Sequence, residues 1–251
     1  MTNPGRHTVV AVSPHLDDVV FSCGGVLGVL RRAGWHVRVV TVFTATVTPL
    51  SEFALACQLD KGLDVDVDYM ALRRAEDAEA MRCLGVVDNR HLELPEAPHR
   101  GYGSAPELFA GGRPEDGVGT AVGEALAPLV AGADVVLGPQ GLGGHVDHLV
   151  VRDALAALDL PLLRYRDTPY ATRLSVSGRE PGEVAVDIGV ALGDKLAACA
   201  AYASQLDFQF GGPYGMATVL RGFAASEAAR CGGTGAAEVL AGAAEIRHRL
   251  P

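Results

Sequence analysis

Apolar, β-branched runs recur along the chain and alternate with longer stretches of helical period. Residues 7–12 and 37–43 read as buried strands, and 22–33 between them carries the apolar period of a helix closed by Gly34. That is the spacing of a βαβ unit, two parallel strands joined by a covering helix. The pattern resumes with a helix over 70–84 ended by Gly85, charged on one face (Arg73, Arg74, Glu76, Asp77, Glu79, Arg82) and apolar on the other, and a short strand at 91–94. A helix at 118–131, a strand at 134–137, a helix beginning near Val146, strands at 160–165 and 184–187, and a helix at 190–202 complete the alternation. Strands this apolar, separated by helices, predict an α/β fold whose mostly parallel sheet is covered by helices on both faces.

Two stretches break the pattern. Residues 44–68, with Pro49 and Gly62, and the proline- and glycine-rich 95–117 leave the sheet as irregular excursions, and are expected to wall a pocket. The tail, 224–251, is rich in alanine and glycine and is expected to be a peripheral helix pair or partly mobile, without a function. A chain of 251 residues with 49% hydrophobic content and no linker can build one sizeable core, so 1–251 is taken as a single domain.

The net charge of −9 is scattered, without the basic stripe that a phosphate backbone requires, which excludes nucleic acid as a partner. No segment approaches the roughly 18–20 apolar residues of a membrane span, and the first residues lack the apolar core of a signal peptide. Five cysteines, odd in number and without any C-x-x-C, suggest neither a disulfide framework nor a cysteine zinc site. A reduced, cytoplasmic protein is expected, its oligomeric state open.

Chemistry concentrates where two strands stop. Ser13-Pro14-His15-Leu16-Asp17-Asp18 follows the first strand, and His145-Val146-Asp147-His148 follows a glycine-rich turn after the strand at 134–137. Open α/β sheets bind ligands at such strand ends. A hydrolytic metal site needs imidazole and carboxylate ligands, an open position for water, and a nearby base that the metal leaves free. A turn can aim His15 and Asp18 at one point with Asp17 beside them. His145 and His148, three apart, share one helical face, so one can be a ligand while the other serves acid or oxyanion work. The competing reading makes these residues helix caps and surface histidines. Dinucleotide binding is disfavoured because no G-x-G-x-x-G follows the first strand. Small residues at Ser22-Cys23-Gly24-Gly25 are expected to let a helix pack closely, with Cys23 in the core. His99, Arg100 and Tyr102 are expected at the substrate pocket, with Tyr165, Asp167 and Tyr170 near the same mouth. Tyr202, Ser204 and Gln205 are expected to brace the last helix.

These residues resemble the PIG-L/LmbE-like zinc-dependent N-deacetylases, whose signatures are A-H-P-D-D-E and H-x-D-H. Arg73-Arg74-Ala75-Glu76-Asp77, Lys195 and Tyr202-Ala203-Ser204-Gln205 extend the resemblance over roughly 8–210. It implies a Rossmann-like fold and one Zn2+ per chain, or another divalent metal. The implied ligands are His15, Asp18 and His148. Asp17 would be the general base, His145 would stabilise or protonate the tetrahedral intermediate, and Asp147 would orient His145. Leu16 stands in place of the signature proline and Val19 in place of its glutamate, which puts support around the ligands in question. The implied reaction removes an N-acyl group, typically N-acetyl, from an amino sugar or another amino-containing small metabolite, in a setting such as natural-product biosynthesis. Two rivals are a metal-dependent phosphoesterase, which would want carboxylates bridging two ions, and a non-catalytic Rossmann-like small-molecule binding protein.

Overall fold

The computed structural model describes residues 7–174 and 178–250. Among the described residues, seven strands form one sheet: β1 (Thr8–Ser13), β2 (His36–Thr41), β3 (Asp88–His91), β4 (Val135–Pro139), β5 (Leu162–Tyr165), β6 (Glu183–Asp187) and β7 (Ala237–Gly242). Their order is β3-β2-β1-β4-β5-β7-β6; the first five are parallel, and β7 runs antiparallel to both neighbours. Strand order reverses at β1, which pairs with β2 on one side and β4 on the other, so a crevice opens at the carboxyl ends of β1 and β4. Both sequence motifs begin there.

The helices are α1 (Asp18–Arg32), α2 (Glu52–Leu59), α3 (Tyr69–Leu84), α4 (Ala105–Leu108), α5 (Val118–Val130), α6 (Val146–Ala156), α7 (Leu192–Ala200), α8 (Ala203–Phe210), α9 (Pro213–Arg230) and α10 (Ala244–Arg247). Side chains alternate across a strand, so β1 feeds two apolar layers. Val9 and Ala11 pack with Leu27 of α1, Leu84 of α3 and Cys199 of α7. Val10 and Val12 pack with Leu126 of α5 and Leu155 of α6 on the other face. Burial of each Val or Leu side chain contributes about 1.5–3 kcal/mol, which is why the central strands carry almost nothing polar.

On the charged face of α3, Arg73 and Asp77 are buried and turned toward other elements. Two expectations need correction. The excursion at 44–68 contains α2, capped by Ser51, whose Oγ accepts from Ala54 N. The largest change is the tail. It is neither peripheral nor a helix pair, because the chain after α9 returns as β7 between β5 and β6, carrying the core past residue 210. β7 has only two large apolar side chains, Val239 and Leu240, and it carries a glutamate that points inward, which hid it from a hydropathy pattern.

That glutamate has a structural task. Helix α1 is broken at Cys23, whose φ of −140° is not helical. The Glu238 carboxylate accepts the Gly25 and Val26 N–H groups at 3.1 and 2.7 Å, capping the restarted helix. Lys195 of α7 pairs with Glu238 at 2.5 Å and donates to the Phe21 carbonyl at 2.7 Å, satisfying the segment that stopped. Close packing requires the glycine at 25, where a Cβ would lie 2.7 Å from the Ile188 side chain. Among the described residues no helix is long and apolar enough to cross a membrane.

Candidate metal centre

The turn after β1 is tied by Ser13, whose Oγ donates to the His15 carbonyl at 2.6 Å and accepts the Val19 N–H at 3.0 Å. Asp18 opens α1, where the helix N-terminus favours a carboxylate, and its Oδ2 accepts the His15 N–H at 2.8 Å. His145 immediately precedes α6, and His148 lies in that helix's first turn. The switch point therefore brings both motifs together.

His15 Nδ1 lies 3.2 Å and His148 Nε2 3.3 Å from Asp18 Oδ2, and the three donor atoms lie within 4.8 Å of one another. An edge of about 3.3 Å belongs to a tetrahedron whose corners lie about 2.0 Å from its centre, the reach of zinc to nitrogen and oxygen. The remote nitrogens fit as well. His15 Nε2 meets Asp147 Oδ2 at 2.9 Å, and His148 Nδ1 meets Asp167 Oδ1 at 2.7 Å. A buried carboxylate behind each imidazole fixes the ring and the tautomer that leaves the inner nitrogen free for a metal.

The charges point the same way. Burial opposes protonation of His148, yet Asp18 and Asp167 raise it to about 9. His15 is likewise raised against burial by Asp147 and Asp18, and Asp18 is held well below the carboxylate range, against burial, chiefly by His148. The cluster favours positive charge at its centre, as a cation site should.

Asp17 stands outside this group. Gln209 donates to its Oδ2 at 2.9 Å, and Arg73 approaches its Oδ1 at 3.4 Å. Burial pushes the Asp17 carboxyl up to about 6, against the pull of Arg73. His145 is held down to about 3 by burial and by His15. Its Nδ1 accepts the Asp147 N–H at 3.2 Å, which leaves the proton of the neutral ring on Nε2. The resemblance gave Asp147 the task of orienting His145. The carboxylate instead steadies His15, and only the Asp147 backbone serves His145.

A cavity of about 690 Å³ opens over these groups. Both irregular excursions wall it, the first with residues such as Leu50, Phe53 and Val65, the second with Pro98, His99 and Phe109. Arg100 and Tyr102, expected beside His99, do not line it. Arg100 donates to Asp147 at 2.7 Å and to Asp116 at 3.0 Å, because a fully buried Asp147 demands a cation. Tyr102 is 1% exposed and donates to Asp116 at 3.1 Å. The sequence had placed Asp167 only at the mouth, and its position just past the end of β5 was the one signal of a role at the centre. Nothing in the pattern marked Gln209.

The 2'-N-acetylparomamine deacetylase of Streptomyces fradiae is 40% identical over 172 residues, 66% of this chain and 58% of that protein. The chain thus spans less than two thirds of that relative's length. The enzyme of the same name from Niallia circulans is 26% identical over 192 residues, 67% of this chain and 69% of that one. Among solved structures, the zinc inhibited form of teicoplanin deacetylase Orf2 superposes with a TM-score of 0.77 at 25% identity, covering 93% of this chain and 97% of its own. The A40926 pseudoaglycone deacetylase Dbv21 gives 0.73 at 29% identity, covering 94% and 96%. The PIG-L family model, GlcNAc-PI de-N-acetylase, matches residues 10–158, a span that holds the three candidate ligands, Asp17 and His145, and the chain belongs to that family.

Proposed function

We propose that this protein is a zinc-dependent N-deacetylase, with one ion per chain, that removes the acetyl group from an amino sugar in the assembly of a natural product. The observation that carries this is the division between adjacent carboxylates: Asp18 faces His15 and His148, while Asp17 is kept apart from them and lines the cavity. Only a carboxylate free of the ion can move a proton. His15, Asp18 and His148 would hold the zinc, which when bound supplies Lewis-acid polarisation of the acyl oxygen and of the attacking water.

The remaining work belongs to the chain. Asp17, oriented by Arg73 and Gln209, takes the proton of the attacking water and delivers it to the leaving amine. His145 directs its Nε2–H to the acyl oxygen as negative charge develops there, and a neutral imidazole suffices for that task. His99 contributes to the wall that the sugar meets. The free cysteines support work in a reducing compartment, the cytoplasm.

A two-ion phosphoesterase is less well supported. His15, His145 and Asp147 also lie within ligand distance of one another, but Asp147 spends its oxygens on Arg100, His15 and the Ala97 N–H, and His145 Nδ1 is occupied. The test is incubation with 2'-N-acetylparomamine and simpler N-acetylated amino sugars, following acetate release and the new amine, beside elemental analysis. Release that chelation abolishes and zinc restores, with close to one ion per chain, is expected. No release from any of these compounds by zinc-loaded protein would overturn the reading, and two tightly held ions would favour the phosphoesterase.

A further inference from the structure

Tyr170 begins the short turn Tyr170–Arg173 after β5 and lines the cavity. The segment after β5 delivers two side chains to His148, those of Asp167 and Tyr170. Asp167 holds Nδ1, and the Tyr170 ring meets the imidazole at nearly a right angle, 88°, with centroids 5.6 Å apart. The Ala171 N–H donates to the Asp167 carbonyl at 2.8 Å, so these two groups are set by one turn.

The ring has little freedom. It rests on Gly143, whose φ is +83° and where a Cβ would fall 2.4 Å from the tyrosine Cδ1. Phe109 packs beside it at 6.1 Å and also on His145 at 5.3 Å, so His145 and Tyr170 flank one exposed aromatic ring. Yet the Tyr170 hydroxyl has no hydrogen-bond partner among the described residues. The residue is half-buried and lines the cavity, so this donor is left for a group that enters it. Burial, with the charges of Asp18 and Asp17, pushes this phenol up, which keeps it a neutral O–H donor.

We propose that Tyr170 is a catalytic residue whose hydroxyl donates a hydrogen bond to the acyl oxygen of the substrate amide, as a second donor beside His145. This rests on the deacetylase reading. His145, Tyr170 and Phe109 all line the cavity, so an acetyl group entering it would meet two donors and an apolar ring. A donor aimed where charge develops acts more strongly in the transition state than on the bound amide, so its removal falls on kcat more than on KM.

The test is Tyr170→Phe, assayed on the acetylated amino sugar that the wild type hydrolyses. A fall of about 10²-fold in kcat with KM within about twofold is expected, at unchanged melting temperature and zinc content. Calorimetry supplies a readout apart from turnover. A methylphosphonamide analogue of the substrate, tetrahedral and anionic, should bind at least about tenfold more weakly to the variant, while the deacetylated amine binds equally to both. A variant whose kcat stays within about threefold of wild type, or one that loses affinity for analogue and amine alike, overturns the proposal. Wild-type protein that releases no acetate overturns the deacetylase reading instead, so the two failures are distinct.

Discussion

Asp167→Asn separates what a supporting carboxylate does for the metal from what it does for the fold. Asp167 is fully buried, with Oδ1 2.7 Å from His148 Nδ1 and Oδ2 accepting the Leu142 N–H at 2.9 Å. Asparagine keeps the volume and can still accept from His148, but it exchanges a charged acceptor for a neutral one, a loss of about 1–1.5 kcal/mol. That is close to tenfold in zinc affinity, at the lower end of the 10- to 100-fold loss (roughly) known for such partners. The amide nitrogen must then face the Leu142 N–H. This mismatch is present with and without metal, so it lowers stability by about 1–3 kcal/mol without touching affinity. Proton competition adds a pH signature. His148 is raised to about 9 against burial by Asp18 and Asp167, so below that pH zinc has to displace a proton. Without Asp167 the proton is held less tightly, which offsets part of the loss at neutral pH and none of it above the His148 pKa. Zinc affinity, measured by competition with a chelating dye from pH 6.5 to 9.5, should therefore show a deficit that widens with pH. An unchanged affinity at pH 9.5 would refute the reasoning.

Asp17→Asn should keep the ion and lose about 10²- to 10⁴-fold in turnover, whereas Asp18→Ala and His148→Ala should lose both, as elemental analysis beside kinetics would show. Arg100→Met leaves Asp147 buried without its guanidinium, so a loss of about 3–5 kcal/mol is expected, at about 2–4 °C of melting temperature per kcal/mol. Its kcat/KM ratios between substrates should stay constant, and a shift in those ratios would restore Arg100 to the pocket. Lys195→Met should cost a similar amount by stranding Glu238, and Lys195→Met/Glu238→Gln should recover only part of it in chemical denaturation, because the glutamine amide nitrogen must face one of the two N–H groups that Glu238 caps.

The layered core was legible because β-branched runs at β1, β2 and β4 admit few other interpretations, and the centre because both motifs sit directly at strand ends. What stayed hidden depends on partners remote in sequence. Only its place past the end of β5 marks Asp167, which reaches His148 across 19 residues, and nothing local marks Gln209, which reaches Asp17 across 192. Arg100 misled because an arginine in an irregular segment resembles a substrate contact until the buried Asp147 is known to need it. The family resemblance supplied roles that spacing left open, but not that Asp147 would reach His145 through its backbone while its carboxylate turned to His15.

The cap that Glu238 places on the restarted α1 joins residues 213 positions apart. During synthesis at about 5–20 residues per second, the Gly25 and Val26 N–H groups would wait about 10–40 s after emerging before their acceptor is made. Throughout that interval the helix that carries Asp18 has two unanswered donors at its break, and the neighbouring β5 edge is open to other chains. The nascent protein is thus most exposed to mispairing when most of its sheet already exists. Chaperone dependence should track the arrival of β7 more closely than chain length.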